Sequence, residues 1–224
     1  MIEIENEYQR LKSTTHLQWD KSSEEGADVG PPYDQNLFGI TCGAKFNPVG
    51  ELHLFLENLR LRTSNNPSLD ITTNDHLHFT FLALSPLTYK NKKELPREVD
   101  ELKRISKKVI NREMFSLTQL RLVPLKNTIL LAGIPTDDSF KLRNTYVREL
   151  LNSSWAAYLQ ERYIGHEIPP KIWHTTLVRT RNELLPVEVR ELYLENLDKY
   201  FGNLNFEKIE LIAANYNWSK IIQL

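Results

Sequence analysis

The chain has 224 residues, 41% of them hydrophobic and 25% charged, enough for one large domain or two fused lobes with a sizeable core. Its 28 basic and 29 acidic side chains leave a formal net charge of −1. With no Lys/Arg-rich block, that balance argues against a long grip on duplex nucleic acid but suits a small or short nucleotide ligand.

The N-terminal residues Met1-Ile2-Glu3-Ile4-Glu5 lack the basic start and apolar centre of a signal peptide. No run approaches the ~20 apolar residues of a membrane-spanning helix. A cytoplasmic protein without a membrane partner is expected. Residues 3–19 predict a polar helix, and the Ser, Gly and Pro of 22–32 predict a loop. Residues 1–35 therefore read as an extension, with a single domain over 36–224.

Residues 37–46 predict a strand. It contains the one cysteine, Cys42, which excludes an internal disulfide and reads as a buried structural thiol. Asn47-Pro48 predicts a helix start, and Leu52, Phe55, Leu56 and Leu59 supply its apolar stripe. Residues 64–68 end that helix. A strand over 75–84, a helix over 96–110 and two strands over 115–123 and 128–134 follow. Thr136-Asp137-Asp138 predicts the N-terminus of a helix running through Trp155 and Tyr158. A strand over 172–180, a helix over 186–200 and a hairpin of 205–214 with 219–224 around Tyr216-Asn217 complete the chain. The order strand, helix, strand, helix, strand occurs twice, which favours an α+β protein of two similar lobes over a doubly wound parallel sheet.

Two strands carry the same tripeptide, His78-Phe79-Thr80 and His174-Thr175-Thr176, 96 residues apart, each followed by an apolar residue, Phe81 and Leu177. In a strand, residues two apart share a face, so each histidine points with its threonine. Over 75–82, Leu77, Phe79 and Phe81 form an apolar face, while His76, His78 and Thr80 form a polar one. In the second strand Ile172, His174, Thr176 and Val178 share a face. Parity sends Arg179 and Trp173 to the other, unless a bulge re-aims Arg179. One such strand is matched by an ordinary solvated sheet face; two with the same offset point to a shared cleft.

The doubled His-x-Thr followed by an apolar residue resembles the signature of the 2H (two-histidine) phosphoesterase superfamily. That superfamily holds the 2′-5′ RNA ligase-like proteins, the cyclic phosphodiesterases and the 2′-5′ oligoadenylate phosphodiesterases. The element order over 37–224 is similar, and Arg179, five residues past the second histidine, resembles the His-x-Thr-Leu-x-Arg form of the ligase-like members. Leu77 and Trp173 stand where many members have Pro. The resemblance implies a bilobal α+β fold with two pseudo-symmetric lobes, antiparallel sheets facing a central cleft and helices outside.

The residues supply chemistry that needs no metal or other cofactor. Cleaving a 2′-5′ phosphodiester or opening a cyclic phosphate takes one proton from the attacking oxygen and gives another to the leaving oxygen. Imidazoles with an ordinary pKa near ~6.5 serve both roles at neutral pH. His78, Thr80, His174 and Thr176 are the catalytic candidates, the threonines donating hydrogen bonds to phosphate oxygens. His76, Arg179, Tyr33, Phe38 and Tyr216 are candidates for binding a nucleotide, a cyclic nucleotide or the end of a short oligonucleotide or RNA. Two other readings stand beside this one. His76-Leu77-His78 has the His-x-His form of some metallohydrolase sites, and the same cleft could belong to a non-catalytic nucleotide binder.

Overall fold

Apolar alternation builds two antiparallel sheets, and amphipathic helices cover their outer faces. The structure, a computed structural model, describes every residue except Ser23, Pro32, Asn65 and Arg112. Parts of the expected loop 22–32 and of the helix stop 64–68 therefore lie outside the described residues.

In chain order the first half holds α1 (Ile2–Trp19), β1 (Gly39–Lys45), α2 (Gly50–Arg62), β2 (Leu69–Ile71), β3 (His78–Ala83), α3 (Val99–Val109) and β4 (Phe115–Leu125). The second holds β5 (Thr128–Pro135), α4 (Asp137–Leu151), α5 (Ala156–Arg162), β6 (His174–Thr180), α6 (Val187–Glu195), β7 (Leu204–Phe206), β8 (Glu210–Ala214) and β9 (Ile221–Gln223). One sheet has the order β3-β1-β8-β9 and the other β2-β6-β5-β4-β7. All pairings are antiparallel. The fold is bilobal and α+β. The lobes exchange strands: β2 leaves the first half to join the second sheet, and β8 and β9 return to complete the first. Among the described residues no helix is long and apolar enough to cross a membrane.

The apolar face of the first motif strand is fully buried, with Leu77, Phe79 and Phe81 at 0% exposure. The stripe Leu52, Phe55, Leu56 and Leu59 is likewise buried. Thr136 caps α4 by accepting the Ser139 N–H, and Cys42 is buried. Burial raises the Cys42 thiol pKa far above its ordinary value, so the group stays protonated.

Several boundaries differ from the sequence reading. Helix α2 starts at Gly50, not at Asn47-Pro48, because the Phe46 N–H still pairs with the Leu77 carbonyl and carries extended backbone forward. The helix expected to run from 137 past Tyr158 breaks in two. Ser153 Oγ donates to the Leu150 carbonyl and accepts the Trp155 N–H, while Trp155 Nε1 donates to Leu84 O at 2.8 Å. Such local side-chain bonds compete with the helical ladder. The expected strand 205–214 divides between the two sheets as β7 and β8, and the last helix stops at Glu195.

Helix α1 is built into the core rather than set ahead of it. Ile4, Tyr8, Thr15 and Trp19 are buried. Thr15 Oγ1 donates to Pro124 O and Trp19 Nε1 to Lys126 O, both at 3.0 Å.

Each motif strand contains one extra residue at the same place. Against β1, Leu82 pairs with Cys42 and Thr80 with Gly43, so Phe81 is bulged. Against β5, Val178 pairs with Ile129 and Thr176 with Leu130, so Leu177 is bulged. The apolar residue that follows each His-x-Thr is therefore the inserted one, and the strand's parity reverses after it.

Candidate active site

The two bulged strands bring His78 and Thr80 from β3, and His174 and Thr176 from β6, to one cavity of about 670 Å³. The parity reversal at Leu177 turns Arg179 toward the same side as His174. Its Nη2 donates to Thr176 Oγ1 at 3.0 Å, and Arg179 lines the cavity. Uninterrupted alternation would have sent it to the opposite face.

His78 is held from two directions. Its Nδ1–H donates to the His76 carbonyl at 2.8 Å, which fixes the neutral tautomer and leaves Nε2 as the basic nitrogen. Its ring lies against Trp218, with centroids 4.2 Å apart and planes 9° from parallel. Trp218 is 3% exposed and sits in the β8–β9 turn at φ +56°, the left-handed region that bulky residues seldom occupy. The turn is tied by Asn215, whose carbonyl accepts the Trp218 N–H at 3.1 Å and whose Oδ1 accepts the Lys220 N–H at 3.0 Å.

Electrostatics keeps both imidazoles neutral in the cavity. Burial, opposed by the His76 carbonyl and with smaller contributions from the neighbouring His174 imidazole when protonated and from the Lys45 and Arg179 charges, lowers His78 to about 3. Burial, then the charges of Arg179 and Arg143, lowers His174 to about 4.

Arg179 is also the centre of an aromatic cluster at the cavity edge. Its guanidinium lies 5.3 Å from the Tyr33 ring centroid and 5.0 Å from that of Tyr216. The two tyrosines stack on each other with centroids 5.5 Å apart. Asp70 on β2, paired in register with Arg179, accepts from the Tyr216 hydroxyl at 2.8 Å and stands 4.0 Å from Arg179 Nε. Tyr33, Tyr216 and Arg179 all line the cavity.

Two sequence candidates do not join the site. His76 lies in a 3-10 turn, Asn74–His76, rather than in the strand, so strand parity does not apply to it. Its Nδ1 pairs with Thr73 Oγ1 at 2.9 Å, and the residue does not line the cavity. Phe38 packs against the core, forms an isolated bridge with Tyr89 and does not line the cavity. Among the described residues no group of three His, Cys, Asp or Glu is gathered as metal ligands, and His76 and His78 spend their Nδ1 atoms on different protein partners. Sequence reasoning does not find Trp218, Asp70 or Arg143. Asp70 is the single charge in a three-residue strand, and nothing in the local pattern marks Trp218 as a neighbour of His78.

No protein-family model matches the chain, and no curated protein matches its sequence. Among solved structures it is similar to TT0787 of Thermus thermophilus, at 13% identity and a TM-score of 0.48, over 82% of this chain and 92% of that one. It is also similar to the conserved protein of unknown function ATU0111 from Agrobacterium tumefaciens strain C58, at 11% identity and a TM-score of 0.44, over 92% and 91% of the two chains.

Proposed function

We propose that the protein is a metal-independent phosphodiesterase of the two-histidine (2H) type, acting on a 2′-5′ phosphodiester or a cyclic phosphate of a nucleotide or RNA end. One observation carries this reading: both His-x-Thr motifs, delivered by different sheets, line a single cavity.

His78 Nε2 is the general base, because its Nδ1–H is already given to the His76 carbonyl. His174 is the general acid. Burial, then Arg179 and Arg143, opposes its protonation, and the negative charge of a bound diester favours the imidazolium. Thr80, Thr176 and Arg179 donate to the non-bridging oxygens, where charge grows in the transition state. The stacked Tyr33 and Tyr216 provide a flat apolar surface for a base.

The test is hydrolysis of nucleoside 2′,3′-cyclic phosphates, 2′-5′-linked dinucleotides and 3′-5′-linked controls, in the presence of a chelator. Turnover by the wild type, reduced about 10²-fold or more in His78→Ala and in His174→Ala, is the expected result. Near wild-type turnover in both variants sinks the mechanism. Tight binding without turnover identifies a nucleotide-binding module instead.

A further inference from the structure

The cavity is lined also by Arg143, Tyr163, Arg162 and Pro170. Arg143 is a buried cation, 2% exposed, on α4. Its guanidinium lies over the Trp173 indole at 3.7 Å from the ring centroid, and Nη2 donates to the Pro170 carbonyl at 2.8 Å. Nε has no hydrogen-bond partner among the described residues. No carboxylate among the described residues lies within ion-pair distance of it. A buried charge without a counter-ion is costly, and burial accordingly lowers this guanidinium to about 9.

The neighbouring charges do not neutralise it. Among the described residues two carboxylates line the cavity, and both are engaged elsewhere: Glu7 by Arg10 at 2.7 Å and Glu167 by Lys171 at 3.4 Å. Arg162, exposed at the same end, lies over the Tyr163 ring at 5.4 Å and has no described carboxylate within ion-pair distance. Arg143, Tyr163 and Arg162 line the same cavity as His174.

We propose that Arg143 and Arg162 form a second anion subsite that takes a phosphoryl group distinct from the one held between the two histidines. A guanidinium backed by an indole face, with Nη2 shared with the Pro170 carbonyl, retains N–H groups that can donate to phosphate oxygens. Combined with the two-histidine reading, on which this extension rests, the subsite makes the substrate a nucleotide with a phosphomonoester besides its scissile diester.

Inorganic phosphate, titrated at low ionic strength and followed by calorimetry, reads the subsite without catalysis. The titration is made in the His78→Ala/His174→Ala double variant, which weakens the site between the histidines, and about one equivalent is expected to remain bound. Arg162→Ala, a surface change that leaves the core intact, and Arg143→Met, which keeps the aliphatic stem over Trp173, each weaken binding about tenfold. Absent binding, or binding unchanged in both arginine variants, overturns the subsite. In a second arm, nucleoside 2′,3′-cyclic phosphates are compared with and without a 5′-phosphate. The phosphorylated form is expected to have a KM about tenfold lower in the wild type, an advantage that Arg162→Ala removes. Equal KM values for the two forms overturn the substrate assignment. Phosphate binding with no turnover of either compound instead leaves the subsite standing and sinks the two-histidine reading.

Discussion

The Tyr8 hydroxyl donates to the Gly133 carbonyl at 2.8 Å and accepts the Trp173 N–H at 3.0 Å, so the first helix holds the residue directly before His174. Both bonds are buried. Tyr8→Phe leaves a buried donor and a buried acceptor unpaired, and is expected to cost on the order of 1–3 kcal/mol. A fall in the urea midpoint at unchanged slope is the signature, with reduced turnover from a loosened β6 entry. Wild-type stability in this variant contradicts the assignment.

Trp218 positions His78 by stacking. An aromatic pair of this kind contributes about 0.5–1.5 kcal/mol beyond its buried area. Trp218→Ala is expected to lower kcat/KM about tenfold, and Trp218→Phe to restore part of the loss. The acid limb of the pH profile should move in Trp218→Ala. A uniform loss at every pH would mark a merely structural role.

The depressed histidines predict acid lability. With folded values of about 3 for His78 and about 4 for His174, the unfolded chain takes up protons first, near its ordinary ~6.5. Stability therefore falls as pH drops from that value toward 4, and levels off below both folded values. His174→Gln should flatten this decline by on the order of 1–2 kcal/mol at about pH 5. Denaturant midpoints across that range, parallel in wild type and variant, would refute the shift.

Gly43 faces the bulge in β3. A Cβ built there stands 2.2 Å from the Phe79 carbonyl oxygen, closer than any real contact. Gly43→Ala is expected to destabilise by about 1–3 kcal/mol and to displace His78 with its strand. Calorimetric melting read beside the hydrolysis rate tests both halves.

The motif histidines were legible because strand period and apolar burial agree around them: Leu77, Phe79 and Phe81 fill the core as alternation demands. Arg179 was legible only as a resemblance, since the bulge at Leu177 that re-aims it is a property of pairing with β5 and not of local sequence. His76 escapes the pattern because a 3-10 turn, closed by the His76 N–H to Thr73 O bond, interrupts what reads as continuous alternation. The breaks at Ser153 and between β7 and β8 depend on side-chain bonds and sheet membership that a one-dimensional pattern does not carry. Trp218 reaches His78 from the far end of the chain, so no spacing rule connects them.

The exchange of β8 into the first sheet is also expected to shape the order of folding. Strand β1 has its partner β3 close in sequence, but its other edge takes a partner from near the end of the chain, where Ile212 meets Thr41 and Ala213 meets Ile40. That edge is an invitation to wrong partners for most of translation. Pairing this distant in sequence forms slowly, so refolding is expected to show a late phase in which a change in tryptophan fluorescence and formation of the cleft coincide.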